Sequence, residues 1–249
     1  MEKEAFEFLA AQANTAADKR VQVVNGKTFL IGDDVRELTE SSQAKKRIVT
    51  HSLTSIIDYV QGHVDRTRGQ EKIESKLLIQ IVAPDEVRLL GELDQYGNRE
   101  ILIDAEPLMD QFEFGSWTDR ESLNIALQSM FVKNDDRDTL LEFIGKYKES
   151  NDTIANDDGI TQGATIKVGA GTVQDVKVPN PVTLMPFRTF TEVGQPESEF
   201  IFRMSQGMKG ALFEADGGKW RLDAFTNIKD YFEQQLGKYI SAGVVVVLG

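Results

Sequence analysis

The residues best suited to chemistry are two carboxylates that directly follow an apolar stretch. Ile101–Ile103 is followed by Asp104 and, after one alanine, by Glu106. An apolar strand that ends in Asp-x-Glu is typical of two-metal nucleases, because paired carboxylates bridge two magnesium ions. Those enzymes also need a later histidine or tyrosine upstream of a further aspartate, but no histidine follows His63 and no Tyr-x-x-x-Asp occurs downstream. A strand terminus is the favoured interpretation, and a metal-dependent nuclease built on Asp104 and Glu106 is the third hypothesis.

The two histidines do not form a metal pair. His51 and His63 lie 12 positions apart in one predicted helix, so their side chains project about 120° apart around its axis. Two ligands at that angle cannot hold one ion within the helix. We interpret both histidines as structural.

The familiar cofactor motifs each fail at a specific residue. Gly169-Ala170-Gly171 starts like a dinucleotide fingerprint, but Gln174 stands where the third glycine belongs. Gly218-Lys219 resembles the end of a phosphate loop, yet Trp220 replaces the required hydroxyl. The chain has no cysteine, which excludes thiolate metal sites. The sequence predicts no catalytic residue, no cofactor and no metal.

Hydrophobic periodicity places helices and strands in blocks, which is typical of the α+β class. We expect mainly antiparallel sheets with several amphipathic helices, and a C-terminal half rich in strands. The polar, turn-rich stretch 149–163 is a candidate boundary between a mixed region, 1–150, and a β-rich region, 151–249. The two regions could also form one continuous domain.

The predicted elements follow from apolar spacing, capping residues and turn signals. Helices are predicted over 3–17 and 48–64, from Thr118 with a capping box, from Asn134–Asp136, and through Phe225–Leu236. Strands are predicted over 21–24, 28–31, 77–82, 86–94, 99–103, 164–168, 172–178, 182–190, 200–204, 211–215, 219–222 and 244–248.

The C-terminal strand is the first candidate for self-association. It consists of Val244, Val245, Val246, Val247 and Leu248. A strand of this hydrophobicity pairs either within its own sheet, which we favour, or with a neighbouring molecule. Phe6 and Leu9, on the apolar side of the predicted N-terminal helix, are the second candidate.

Charge narrows the possible partners. The net charge is −12, and residues 104–158 hold 14 acidic against 5 basic residues. Such a field repels phosphate backbones, so nucleic-acid binding is disfavoured. Asp135, Asp136 and Asp138 are the candidate acidic surface for a basic partner protein.

No stretch approaches the roughly 18 apolar residues of a membrane span, and Met1–Phe8 is acidic where a signal peptide would be basic. We therefore expect a cytoplasmic protein that has no membrane contact.

The C-terminal third resembles the YfdQ-like family, a domain of unknown function in phages and prophages. The resemblance is carried by Pro179–Leu184, Pro186–Phe190, Val193–Pro196, Phe200–Arg203 and Ala211–Trp220, with weaker collinear matches at His51-Ser52-Leu53 and Phe114-x-x-Trp117. It implies a phage or prophage origin and supplies no catalytic residues.

In this block, aromatic residues alternate with polar ones. We expect Arg188 and Arg203 on the face opposite the aromatics, meeting Glu192, Glu199 or Glu214 across strands. The aromatics fill a core or line a groove or subunit interface.

Three hypotheses follow for the function. The first is a non-enzymatic phage protein that acts by self-association, as a homo-oligomer or shell-like assembly. The second is a regulatory or counter-defence module that binds a basic host protein through its acidic surface. The third is the nuclease described above.

Overall fold

A computed structural model describes residues 3, 7, 20–24, 27–31, 35–37, 46–62, 76–94, 97–146, 155–157, 162–168, 172–205 and 207–249. The chain divides into two units, residues 1–45 and 46–249. Along these described ranges, no helix combines the length and the apolarity that crossing a membrane requires.

The first unit contains a three-stranded antiparallel sheet. Its strands are β1 (Val21–Val24), β2 (Lys27–Ile31) and β3 (Val35–Glu37), in that order. The predicted hairpin is confirmed, because β1 pairs with β2. Lys3 and Glu7 are helical and form an ion pair at 3.9 Å. The rest of the predicted N-terminal helix, with Phe6 and Leu9, lies outside the described residues.

The second unit combines helices with three sheets, which confirms the α+β class. Its helices are α1 (Leu53–Gly62), α2 (Arg120–Ser129), α3 (Asp135–Lys146) and α4 (Trp220–Ser241). Its strands are β4 (Ile48–Thr50), β5 (Leu77–Ala83), β6 (Glu86–Leu93), β7 (Arg99–Ala105), β8 (Thr118–Asp119), β9 (Ala155–Asp157), β10 (Gln162–Val168), β11 (Thr172–Lys177), β12 (Val182–Leu184), β13 (Ser198–Ser205), β14 (Lys209–Glu214) and β15 (Val245–Leu248).

A five-stranded sheet of order β15-β5-β6-β7-β4 carries the first hydrophobic core. Its central strands are antiparallel, while β15 and β4 lie parallel to their neighbours at the two edges. Helices α1 and α4 cover one face, where Ile56, Val60, Ile79, Leu89 and Phe232 are fully buried. The prediction that the C-terminal strand pairs within its own sheet is confirmed.

A four-stranded sheet of order β12-β13-β14-β8 carries the second core, together with α2 and α3. Leu123, Phe131, Phe143, Phe200 and Leu212 are buried there. This core draws residues from both sides of position 150. A third sheet, β11-β10-β9, is antiparallel and confirms the strands predicted around 164–178.

Helix α1 begins later than the periodicity predicted. Ile48 and Val49 were expected on the helix but form β4, which pairs parallel with β7. Their β-branched side chains suit an extended edge strand. Glu192 fixes the helix start at Leu53 from 139 positions away, because its Oε1 accepts from the Ser52 hydroxyl (2.7 Å) and from the Leu53 N–H (2.9 Å).

Three further local predictions are wrong. The strand expected over 182–190 ends at Leu184, and beyond it the Phe187 N–H donates to the Met130 carbonyl oxygen (2.9 Å) instead of continuing a ladder. Residues 219–222 open α4 and form no strand, because Asp216 accepts from the Gly218 and Trp220 N–H groups and starts a helix.

The N-cap of α2 is the third correction. Asp119 occupies it in place of the expected Thr118, and accepts from the Glu121 and Ser122 N–H groups. These two hydrogen bonds lower the pKa of Asp119.

Candidate functional site

The predicted carboxylate pair forms part of a larger cluster. Asp104 lies near the end of β7 and Glu106 follows this strand, and β6 brings Glu86 beside them, so that one carboxylate oxygen of each lies within 4.8 Å of the others. The antiparallel register causes this, since Arg88 of β6 pairs with Asp104 of β7. Three carboxylates at this spacing are the ligand type that magnesium prefers.

Two arginines already engage the cluster. Arg47 Nη1 lies 2.8 Å from Asp104 Oδ2, and Arg88 Nε lies 3.6 Å from Asp104 Oδ1 while its Nη2 contacts Glu86. A divalent cation bound to Asp104 would therefore sit close to two guanidinium groups, which repel it. We interpret the cluster as an ionic lock between β4, β6 and β7, and not as a metal centre.

His51 stands near this lock without joining it. Its Nδ1 lies 2.7 Å from the Glu106 carbonyl oxygen, so the Nδ1–H donates there. The contact ties the end of β4 to the end of β7, next to the hydrogen bond from the Glu106 N–H to the Thr50 carbonyl oxygen (3.0 Å). His63 lies outside the described residues.

The proposed acidic surface is partly used inside the molecule. Asp136 Oδ2 accepts from the Thr183 N–H (2.6 Å) and thereby ties α3 to β12. Asp138 forms ion pairs with Lys133 (3.7 Å) and Arg137 (3.3 Å). All three aspartates lie in the first turn of α3, where negative charge is stabilised by the helix dipole. Local structure thus accounts for much of this charge.

A second buried charge, Arg188, links segments of the C-terminal block, residues 179–220. Arg188 Nη1 contacts Glu214 Oε1 (2.6 Å), one of the three carboxylates that the sequence offered, and its Nη2 donates to Ser198 Oγ (2.6 Å). The Ser198 hydroxyl donates in turn to Asp216 Oδ2 (2.6 Å). The Arg188 guanidinium also lies 3.8 Å from the centre of the Trp220 ring.

The position of Arg188 corrects one expectation. It is buried among aromatic rings and does not lie on an opposite, polar face. Burial lowers the pKa of Arg188 to about 10, against the opposing effect of Glu214 and Asp216. At neutral pH the side chain is still a cation, so its role is to bind these carboxylates within the fold.

The predicted self-association strand lies at an edge of the five-stranded sheet. The Leu77 N–H donates to the Val244 carbonyl oxygen (2.8 Å), so the backbone groups of Val244 and Val246 point toward β5. Successive residues of a strand turn these groups to opposite sides. The N–H and C=O groups of Val245 and Val247 therefore point away from β5, on a side where no described strand pairs with β15.

The side chains of β15 alternate between the core and solvent. Val245 is 1% exposed and Val247 packs on the first core, whereas Val246 and Leu248 are 43% and 52% exposed on the opposite face. A groove of about 490 Å³ adjoins them on this outer face. The sequence analysis missed the groove residues on β5 and β6, Leu78 and Leu93, although apolar residues at the outward positions of a strand were a visible signal.

Comparison with known proteins yields no match among protein families, curated proteins or solved structures. The resemblance to the YfdQ-like family stays a prediction from the sequence.

Proposed function

We propose that this chain is a non-enzymatic phage or prophage protein that acts in the bacterial cytoplasm by self-association, and that β15 is its pairing edge. The observation that carries the proposal is an apolar edge strand whose outward backbone groups have no strand partner among the described residues. Such an edge is a template for a strand from another chain. Two copies related by a two-fold axis would pair β15 antiparallel with β15.

The polar side chains that could take part in chemistry also support the proposal, because they are engaged in contacts within the fold. Asp104 is engaged by two arginines, and Ser198 bridges Arg188 and Asp216. Each of these polar groups contacts a partner inside the fold. The β15 edge, in contrast, directs backbone donors and acceptors outward from a short strand that contains no charged residue.

A single substitution can test the edge. Val247→Pro removes an N–H that points away from β5, so the pairing within the chain keeps its hydrogen bonds while the outer edge loses a donor. We expect the mass measured by light scattering at micromolar concentration to fall for this variant. Val247→Thr keeps both the N–H and the β-branched shape, and it should retain the wild-type mass.

Circular dichroism and urea unfolding establish that the proline variant is folded. A wild type that is a strict monomer would contradict the proposal. So would a folded Val247→Pro variant with the wild-type mass.

A further inference from the structure

The outer face of the five-stranded sheet is divided into two dissimilar halves. Toward β4, it is ionic, with Arg88 and Asp104 paired across strands. Toward β15, it is apolar and contains the groove of about 490 Å³. Leu93 and Leu248 in this groove are 56% and 52% exposed. Helices cover the other face of the same sheet. Ile48 and Val49 of β4 are also exposed, but the exposed leucines of the β15 half line one groove.

We infer that this groove packs against the same groove of a second copy, so that two edge-paired dimers join face to face into a four-chain particle. The inference rests on the proposed self-association and names a second contact for it. Contiguous exposed apolar surface rimmed by polar residues marks an interaction site. Two sheets that pack face to face, about 10 Å apart, bury such surface on both partners.

The charges of the rim favour a second copy over another partner. Lys76 and Arg99 are positive, and Glu92 is negative. A rim that carries both signs is complementary to itself, because a two-fold axis can place Glu92 of one copy opposite Lys76 or Arg99 of the other. A strongly acidic or strongly basic partner would instead meet at least one repelling charge.

The size of the edge also favours a second contact. Strand β15 has four residues, so the paired edge is only about 14 Å long. Stable complexes bury roughly 800 Å² on each partner, and one short strand pair covers much less. The groove lies directly beside the edge, since Val246 and Leu248 belong to both. Face packing would be a separate contact beside the edge, and it would add buried apolar area to the assembled particle.

A substitution away from β15 separates the two contacts. Leu93→Lys places a charge in the groove on β6 and leaves the edge strand intact. Leu108→Lys is the matched control, because Leu108 is 78% exposed and does not line the groove. By native mass spectrometry and light scattering, we expect four chains for the wild type and for Leu108→Lys, and two chains for Leu93→Lys.

Combining the substitutions completes the test. Val247→Pro should also give two chains, now joined by their faces, and the double variant Val247→Pro/Leu93→Lys should be a monomer. A folded Leu93→Lys protein with the wild-type mass would overturn the face contact. If that occurs while Val247→Pro halves the mass, the edge proposal stands alone. If only Leu93→Lys lowers the mass, the face contact stands and the edge proposal fails.

Discussion

Asp104 and Arg188 are both buried charges, and they are held in opposite ways. Asp104 is an anion between two arginines that reach it from more exposed positions, with Arg47 50% and Arg88 34% exposed. Arg188 is a cation that contacts one carboxylate directly, Glu214, and reaches a second only through Ser198. Arg188 also packs on a tryptophan ring, whereas Asp104 has no comparable apolar contact among the described ones.

The two sites differ in whether one side chain can replace another that is lost. Either arginine can neutralise Asp104 when the other is lost, so the lock tolerates single changes at its rim. Arg188 combines charge, hydrogen bonding and ring stacking in one side chain, and nothing nearby replaces it. A guanidinium group is suited to this combination, because it is planar and presents several donors at once. The C-terminal block should therefore be the more fragile of the two regions.

The largest effect is expected at Arg188. Arg188→Ala should lower the free energy of unfolding by about 4 kcal/mol, because it removes a buried side chain that packs on Trp220 and takes the hydrogen-bond partner from Ser198 and Glu214. Urea unfolding measures this loss. The guanidinium group of Arg221 also lies over the Trp220 ring, 4.7 Å from its centre, but Arg221 is exposed. Arg221→Ala is therefore the control and should change little, and equal losses would contradict the comparison.

Removal of the Asp104 carboxylate should lower the free energy of unfolding by about half as much as removal of Arg188. Asp104→Ala leaves two arginines that are exposed enough to regain water, so we expect a loss of about 2 kcal/mol in the free energy of unfolding. Asp58→Ala, at an exposed position of α1, is the control and should stay within about 0.5 kcal/mol of the wild type. A loss at Asp104 larger than that at Arg188 would reverse the ranking.

The pH dependence sharpens the description of the Arg188 network. Burial raises the pKa of Asp216, but hydrogen bonds from Ser198 and from the Gly218 and Trp220 N–H groups outweigh it, and the net pKa is lowered. A lowered folded-state pKa stabilises the fold above the unfolded pKa, and this contribution is lost as pH falls through the folded value. Asp216→Asn should cost about 1 kcal/mol at pH 7.

Urea unfolding curves at several pH values test whether Asp216 stabilises the fold only while its carboxylate is charged. The difference between wild type and Asp216→Asn should shrink below about pH 4, because there the Asp216 carboxylate of the unfolded chain takes up a proton before that of the folded protein does. A difference that stays constant down to pH 2 would show that the charge of Asp216 does not matter.

The smallest effect is expected at Arg47. Arg47 is half exposed and Arg88 remains beside Asp104, so Arg47→Ala should cost about 0.5 kcal/mol. Added salt should reduce even this difference, because exposed ion pairs are screened. Urea unfolding at low and high salt tests both points. A salt-independent loss above about 2 kcal/mol would show that the lock is not redundant.

The sequence predicted the elements whose signals are local. Strands β5 to β7 alternate strongly and are separated by turn residues, so their positions agree with the structure. Glu214, one of the three carboxylates expected to meet Arg188 or Arg203, does contact Arg188, although Arg188 follows β12 and does not lie in a strand. Long-range pairing was not predictable: Ile48 and Val49 fit a helical stripe, and only their pairing with β7 reveals a strand.

The candidate site shows the same limit. The Asp104–Glu106 motif can be seen in the sequence. The position of Glu86 beside it depends on the register of β6 on β7, which includes irregular steps. The engagement of Asp104 by Arg47 depends on a strand the sequence assigned to a helix. The apolar character of β15 was plain from its composition, whereas its edge position depends on the parallel pairing with β5.

Strand β4 sets a limit on how far the sheet can extend. It has only three residues and follows Lys46 and Arg47, both exposed. Positive charge at an edge discourages further pairing. In the proposed assembly, in which only β15 pairs with another copy, the sheet would add a single neighbour laterally and then stop. Growth in the plane of the sheet would therefore end in a particle of fixed size and would not continue into a fibre.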